Sequence, residues 1–292
     1  MNLNEYAQKI LDTENIPVKL KEQLRTYISY HFIKGHPLAD LLELAYDNFR
    51  ENPETEHKQS LQLCIELLLL AADIIDDIQD KDAKKQPWAN ISTEDNLTCI
   101  ITLIMLSLKI LPLNQEIINT HIHKLLLRAI SGQYSDTNNQ VLTESDYVQM
   151  VTDKSSSFFE MALLLGAGDI YKSIQNNLKA CATHYGIIAQ VRNDWNDLYN
   201  EDKALNDLYY RRKSLPIIYA LQQDNALFKP LQNFYLHGEN QPLNRLLKSL
   251  HNEEVTNYCK FFEQLHLFQL RKCLLKLPLE NNLIDKFSNF SV

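Results

Sequence analysis

Turn-forming residues are too scarce in this chain for a β-rich fold. Six glycines and nine prolines are spread over 292 residues, roughly 2% and 3% against about 7% and 5% in average proteins. A sandwich or barrel calls for a Gly- or Pro-bearing turn every ~8–12 residues, and the supply falls well short. The same scarcity removes the glycine-rich phosphate cradles, since neither GxGxxG nor GxxxxGK[ST] occurs. What remains is helical periodicity over most of the chain. It predicts helices near 3–13, 16–33, 37–51, 57–82, 92–111, 114–133, 144–166, 170–199, 204–224, 226–237, 241–251, 253–276 and 280–289.

Several of these helices are apolar around most of their circumference, notably 61–75, 97–108 and 158–165, which predicts positions in the middle of a bundle. With 45% hydrophobic residues and no low-complexity linker or internal repeat, the expectation is one all-α domain over 1–292, a large helical bundle with buried central helices. The net charge of −8 lacks the basic face that nucleic-acid binding needs. The five cysteines, Cys64, Cys99, Cys181, Cys259 and Cys273, are scattered with no CxxC, and are read as buried thiols in a reducing compartment. The opening MNLNEYAQKI has no apolar run of the secretory type. The longest apolar stretch, Leu97 to Leu113, is broken by Lys109 and Pro112 and falls short of the ~20 residues that span a bilayer. The expected location is cytoplasmic.

The segment LQLCIELLLLAADIIDDIQDKD carries more chemistry than any other. An apolar run from Leu61 to Ala72 continues directly into Asp73, Asp76, Asp77, Asp80 and Asp82. Residues three and four apart share a helix face, so Asp73, Asp76 and Asp80 project together, with Asp77 about 100° round. Like charges at that spacing destabilise a helix, and a solvated acidic helix end would normally interleave Lys or Arg; here only Lys81 intervenes. Hard oxygen ligands on the end of a buried helix suit Mg²⁺ together with substrate phosphates. A second segment, YGIIAQVRNDWNDLYNED, again feeds an apolar stretch into oxygen ligands at Asn193, Asp194 and Asp197. Two such patches on different long helices can hold a metal–phosphate cluster between them. Lys154, Lys203 and Lys213 stand where a diphosphate could use them, although each lysine taken singly is most simply a solvated surface charge. Phe158 and Phe159 are likewise ordinary core residues when taken alone.

The ordered set of motifs resembles the trans-isoprenyl diphosphate synthases, the all-helical polyprenyl synthetase family. Asp76-Asp77-Ile78-Gln79-Asp80 is similar to its first DDxxD, and Asn193-Asp194-Trp195-Asn196-Asp197 to a weakened second one. Gly132-Gln133-Tyr134-Ser135-Asp136 is similar to GQxxD, Lys154-Ser155 to K[TS], and Gly166-Ala167 to the Gly-Ala that follows. The family's FQ survives as Ala189-Gln190, and its DLxxGK[TS]xP as Asp207 to Pro216, with Arg212 in place of Gly. The matches keep the family's order from about 70 to 220.

The resemblance implies a bundle of the isoprenoid synthase type with a central cavity, three Mg²⁺ ions and an isoprenyl diphosphate substrate. It implies metal ligation by Asp76, Asp77, Asp80, Asn193, Asp194 and Asp197, catalytic roles for the first three with Lys154 and Lys213, and substrate binding by Lys84, Lys85, Gln133, Ser155, Phe158, Gln190 and Lys203. A homodimer is also implied. Ionisation of the allylic C–O bond would leave a carbocation, with lysines and metal stabilising the departing diphosphate and apolar walls excluding water.

Departures from the family narrow the reaction. The GKRxRP segment that helps bind isopentenyl diphosphate has only Lys34-Gly35-His36-Pro37-Leu38, without arginine, and the arginine pair after the first motif is represented by Lys84-Lys85. Lysine lacks the bidentate fork of arginine for phosphate. The pattern resembles the competence-pheromone prenyltransferases of quorum sensing, which put a geranyl or farnesyl group on a tryptophan of a small peptide precursor. The residues that carry this likeness are Asp73 to Asp80 followed by Trp88, Tyr185 to Gln190, and Leu267 to Leu277. The better-preserved second aspartate motif departs from that branch. The alternatives are a short-chain isoprenyl diphosphate synthase, a terpene synthase, and a catalytically inactive helical binding protein. Ala71 and Ala72, small residues before the first motif, leave the prenyl pocket open enough there for farnesyl by analogy with the family.

Overall fold

The computed structural model of the chain describes residues 1–81, 84–111 and 118–290, and every regular element among them is helical. The helices are α1 (Leu3–Thr13), α2 (Val18–Lys34), α3 (Pro37–Phe49), α4 (Thr55–Asp80), α5 (Thr93–Ile110), α6 (His123–Thr137), α7 (Glu144–Lys154), α8 (Ser156–Ala167), α9 (Tyr171–Leu198), α10 (Glu201–Tyr209), α11 (Leu215–Gln222), α12 (Lys229–His237), α13 (Leu243–Leu250), α14 (Glu253–Leu274) and α15 (Asn281–Ser288). A wide π-turn segment, Ile118–Ile122, precedes α6. The first half of the predicted 114–133 helix lies partly outside the described residues.

The chain packs as two compact units. One comprises Met1–Leu125, Phe158–Leu178 and Leu279–Ser291; the other comprises Leu126–Ser157 and Lys179–Pro278. In the first, α4 is the central helix, packed against α1, α2, α3 and α5. Its apolar run explains that place, because Leu61, Leu63, Ile65, Leu67, Leu70 and Ile74 point to different sides and are all buried. One acidic residue accompanies them. Glu66 is fully buried, and its carboxylate accepts the Ala39 N–H at 2.7 Å and pairs with His31 Nε2 at 2.6 Å. A buried carboxylate is tolerable only when its lone pairs are met in this way. In the second unit the apolar helix α11 packs against α7, α12, α13 and α14.

Three features differ from the sequence-based expectation. The predicted 144–166 helix is two helices, α7 and α8, separated at Ser155. The predicted 204–224 helix is also two, α10 and α11, because Arg211 adopts positive φ and the chain turns before Pro216. Most consequentially, α5 is not apolar core all round: Leu97, Ile101 and Met105 are 48–61% exposed along one face, while Cys99, Ile100 and Leu103 face the core. The expected cysteine burial holds for four residues, with Cys273 only half-buried. No helix among the described residues is long and apolar enough to cross a membrane.

Candidate active site

The first acidic cluster forms the last turn of α4. The helix ends at Lys81, whose left-handed conformation (φ 56°) turns the chain away after Asp80. Asp76, Asp77 and Asp80 are half-buried there, on the continuation of the buried apolar helix. Trp88 donates its indole N–H to Asp77 Oδ2 at 2.7 Å. That indole is itself wedged edge-on between Tyr27 and Tyr30, and its carbonyl accepts from Asn96, which in turn accepts the Tyr27 hydroxyl. One oxygen of Asp77 is therefore fixed by an aromatic cluster drawn from α2, α5 and the loop between α4 and α5. His31 extends the arrangement: its Nε2 holds Glu66, and its Nδ1 lies 3.9 Å from Asp73. Lys84 and Lys85 are exposed beyond the helix, their backbone N–H groups both bonded to Gln86 Oε1. Phe158 is buried in α8, also within this unit.

The second cluster belongs to the second unit, at the end of α9. Asn193 is exposed and Asp197 half-buried, the latter paired with Lys203 at 3.2 Å. Asp194 behaves differently from its motif neighbours. It is 8% exposed, and its carboxylate receives three hydrogen bonds: from Gln190 Nε2 at 2.9 Å, from the Tyr147 hydroxyl at 2.9 Å and from the Leu215 N–H at 2.8 Å. Burial nevertheless pushes its pKa up to about 6, against the lowering effect of those donors. The three bonds tie α9 to α7 and to the start of α11. Asp194 thus has most of its acceptor capacity taken by the protein.

Around it two of the predicted binding residues, Ser155 and Gln190, form a connected set. Ser155 donates to Gln190 Oε1 at 3.1 Å, extending the chain Ser155–Gln190–Asp194. Lys154 pairs with Asp136 at 2.8 Å. The positions of both come from close helix crossings: a Cβ on Gly132 would lie 2.2 Å from Lys154 N, and one on Gly186 would lie 2.2 Å from Ser156 Oγ. Gln133 donates to Thr137 one turn on. Lys213 donates to the Asn139 carbonyl at 3.2 Å, and burial lowers its pKa.

The donor set fits a hard divalent cation in chemistry: carboxylate and amide oxygens from Asp76, Asp77, Asp80, Asn193 and Asp197. Geometry for a metal is not assembled by any group of three His, Cys, Asp or Glu side chains among the described residues. Four residues escaped the sequence reading as site components. Trp88 and Tyr147 orient acidic motif residues from 11 and 47 positions away, a separation that no local spacing betrays. His31 faces Asp73 from α2. Asp136 was visible as the last residue of GQxxD, and that motif was the available signal for its pairing with Lys154.

The chain resembles known proteins over most of its length. Residues 21–250 match the polyprenyl synthetase family. The tryptophan prenyltransferase ComQ of Bacillus subtilis subsp. natto is 29% identical over 96% of this chain and 92% of its own length. A geranylgeranyl pyrophosphate synthase of Aspergillus versicolor is 24% identical over 78% of this chain and 62% of its own. Among solved structures, the geranylgeranyl pyrophosphate synthase of Lactobacillus brevis superposes with a TM-score of 0.80 at 14% identity, over 99% of this chain and 92% of that one. The polyprenyl synthetase of Streptomyces coelicolor gives 0.79 at 16% identity, over 99% and 95%; both show the same all-α fold. With motifs, fold and family match in accord, this chain belongs to the polyprenyl synthetase family and is a prenyltransferase.

Proposed function

We propose that the chain is a Mg²⁺-dependent prenyltransferase that takes geranyl or farnesyl diphosphate and prenylates a tryptophan of a small peptide precursor. The observation that carries the acceptor is the full-length likeness to ComQ tryptophan prenyltransferase. The basic groups near the segment that would grip isopentenyl diphosphate in the family support it. Lys34 lies over the Tyr30 ring at 4.5 Å, and His36 pairs with Asp40 at 2.7 Å. Neither offers the bidentate fork that a second diphosphate would need. The match over 21–250, which draws on both units, supports reading 1–292 as one isoprenoid-synthase-like domain.

In this reading each acidic helix end is a ligand set for Mg²⁺–diphosphate: Asp76, Asp77 and Asp80 in one unit, Asn193 and Asp197 in the other. Asp194 serves by holding α9 in place. The ion count implied by the family is three. Bound Mg²⁺ supplies charge neutralisation of the diphosphate, which lowers the barrier to its departure. The protein's own part begins with Trp88 holding Asp77 in one orientation. Lys154 and Lys213 place ammonium charge toward the diphosphate as negative charge develops on the leaving oxygen. The partly buried Lys213 is effective there because low dielectric strengthens the attraction. Gln133, Ser155, Gln190 and Lys203 position the diphosphate, with Lys84 and Lys85 at the loop after the first motif. Phe158 contributes apolar wall, which keeps water from the cation. The C–O bond breaks with its electron pair leaving on the diphosphate, the indole supplies the pair for the new bond, and a proton leaves the acceptor.

The family resemblance also implies a homodimer. The exposed apolar face of α5, Leu97, Ile101 and Met105 at i, i+4 and i+8, supports it as a surface in want of cover. The functional test incubates the protein with Mg²⁺ and geranyl or farnesyl diphosphate, offering either a tryptophan-containing precursor peptide or isopentenyl diphosphate, and reads products by mass spectrometry. A prenylated peptide is expected. Chain elongation without peptide modification would instead identify a short-chain isoprenyl diphosphate synthase, the reading favoured by the relationship to geranylgeranyl pyrophosphate synthases.

A further inference from the structure

We propose that the outer face of α14 docks the protein onto an anionic membrane surface. Phe261, Leu265, Phe268 and Leu275 recur at helical spacing along that face and its immediate extension, and are 63%, 38%, 56% and 58% exposed. Lys260, Arg271, Lys272 and Lys276 flank or interrupt the stripe and are exposed too. From Asn257 to Lys276 the only acid is Glu263, which is half-buried and paired with Arg192 at 2.7 Å. The opposite side of the helix, through Val255, Cys259, Phe262, Leu270 and Leu274, is buried in its own unit. The exposed side is therefore held in a fixed orientation.

Charge decides what covers it. A chain of net charge −8 has here, between Asn257 and Lys276, four exposed cationic residues, four large apolar ones and no exposed acid, the exposed Glu253 and Glu254 standing at the opposite end of the helix. A second copy meeting the same face across a two-fold axis would set these bases against themselves. An acidic amphipathic peptide would satisfy the charges. Its apolar anchors, however, need pockets, and these side chains stand as a ridge on one helix. An anionic bilayer satisfies both requirements, with apolar side chains entering the headgroup–acyl boundary and Lys and Arg at phosphate level. Lys272 already stands beside the apolar stripe, its ammonium 4.5 Å over the Phe268 ring. The same acid excess that repels the rest of the chain from such a surface confines contact to this face.

The test is co-sedimentation of the full chain with vesicles of phosphatidylglycerol and phosphatidylethanolamine in equal parts, against vesicles of phosphatidylcholine. Binding to the anionic vesicles is expected, weakening as salt is raised. Lys272→Gln combined with Lys276→Gln should lower partitioning about 25-fold, at roughly a fivefold loss per charge. Phe261→Ser with Phe268→Ser should also reduce it, whereas Ile101→Ser on α5 should not; thermal melts of each variant confirm that the helices remain folded. Equal binding to both vesicle types, or binding indifferent to the α14 charges, would overturn the proposal. Capture of an acidic amphipathic peptide without vesicle binding would overturn it as well. None of these readouts requires prenyl transfer.

Discussion

Asp77 and Asp194 are both second residues of aspartate-rich motifs, yet their surroundings differ. Asp77 has one oxygen fixed by the Trp88 N–H and sits half-buried at a helix end. Asp194 is closed in by three protein donors. Replacing a true ligand should abolish chemistry while sparing the fold. Asp76→Asn and Asp80→Asn are each expected to lower turnover by several orders of magnitude with unchanged circular dichroism; a near-normal rate in either would sink the metal assignment. For Asp194 the signature lies in stability. Its folded pKa of about 6 exceeds the ~3.9 of an unfolded chain. Between these values the folded state holds a proton that the unfolded state has released, so this carboxyl's contribution to stability falls as pH rises from about 4 to about 6. Urea unfolding of wild type and Asp194→Asn in chelator, compared across that window, should show this fall only in the wild type. Parallel pH curves would assign the titration elsewhere.

At the scale of elements, glycine is sparse because helices dominate, and two of the glycines present, Gly132 and Gly186, serve helix crossings. Gly132 lets α6 approach the backbone at Lys154, and Gly186 lets α9 approach Ser156. Together they hold the Lys154–Ser155 segment where α7 gives way to α8. Gly132→Ala would press a methyl group to 2.2 Å from a backbone nitrogen, which no side-chain rotation relieves. The expected cost is about 3 kcal/mol, measured by denaturant unfolding, with a fall in kcat from displacement of Lys154. A variant of wild-type stability and activity would show that the crossing relaxes freely. The break itself was illegible in the sequence, since Lys-Ser-Ser-Ser-Phe-Phe continues a helical pattern without proline or glycine. It coincides with tertiary bonds that no local rule reports, such as Ser156 Oγ to the Thr183 carbonyl. The break after α10 did carry a mark, Pro216 in the first turn of α11, and the left-handed Arg211 turns the chain ahead of it.

For the whole molecule, the apolar periodicity of α5 correctly predicted a helix and overpredicted its burial. Periodicity reports how much apolar surface a helix carries, not whether the chain itself covers it. If two copies cover that face, Ile101→Arg should convert a dimer to a monomer in analytical ultracentrifugation while keeping the helical spectrum, because a charge there leaves the single chain undisturbed. A dimer that survives the change would move the interface elsewhere.

The sequence by itself determined the helical class, through the shortage of turn residues, and the polyprenyl synthetase family, through oxygen-ligand and lysine motifs in family order. These are local properties: helix faces follow from spacing of three and four, and ligand type follows from residue type. Only the tertiary structure decided how deeply each motif residue is buried and which distant side chains bond to it. It also decided which apolar faces stay uncovered. Those outcomes depend on partners distant along the chain, such as Tyr147 and Leu215 for Asp194 or Trp88 for Asp77. Burial and hydrogen bonding are settled only when these distant partners meet.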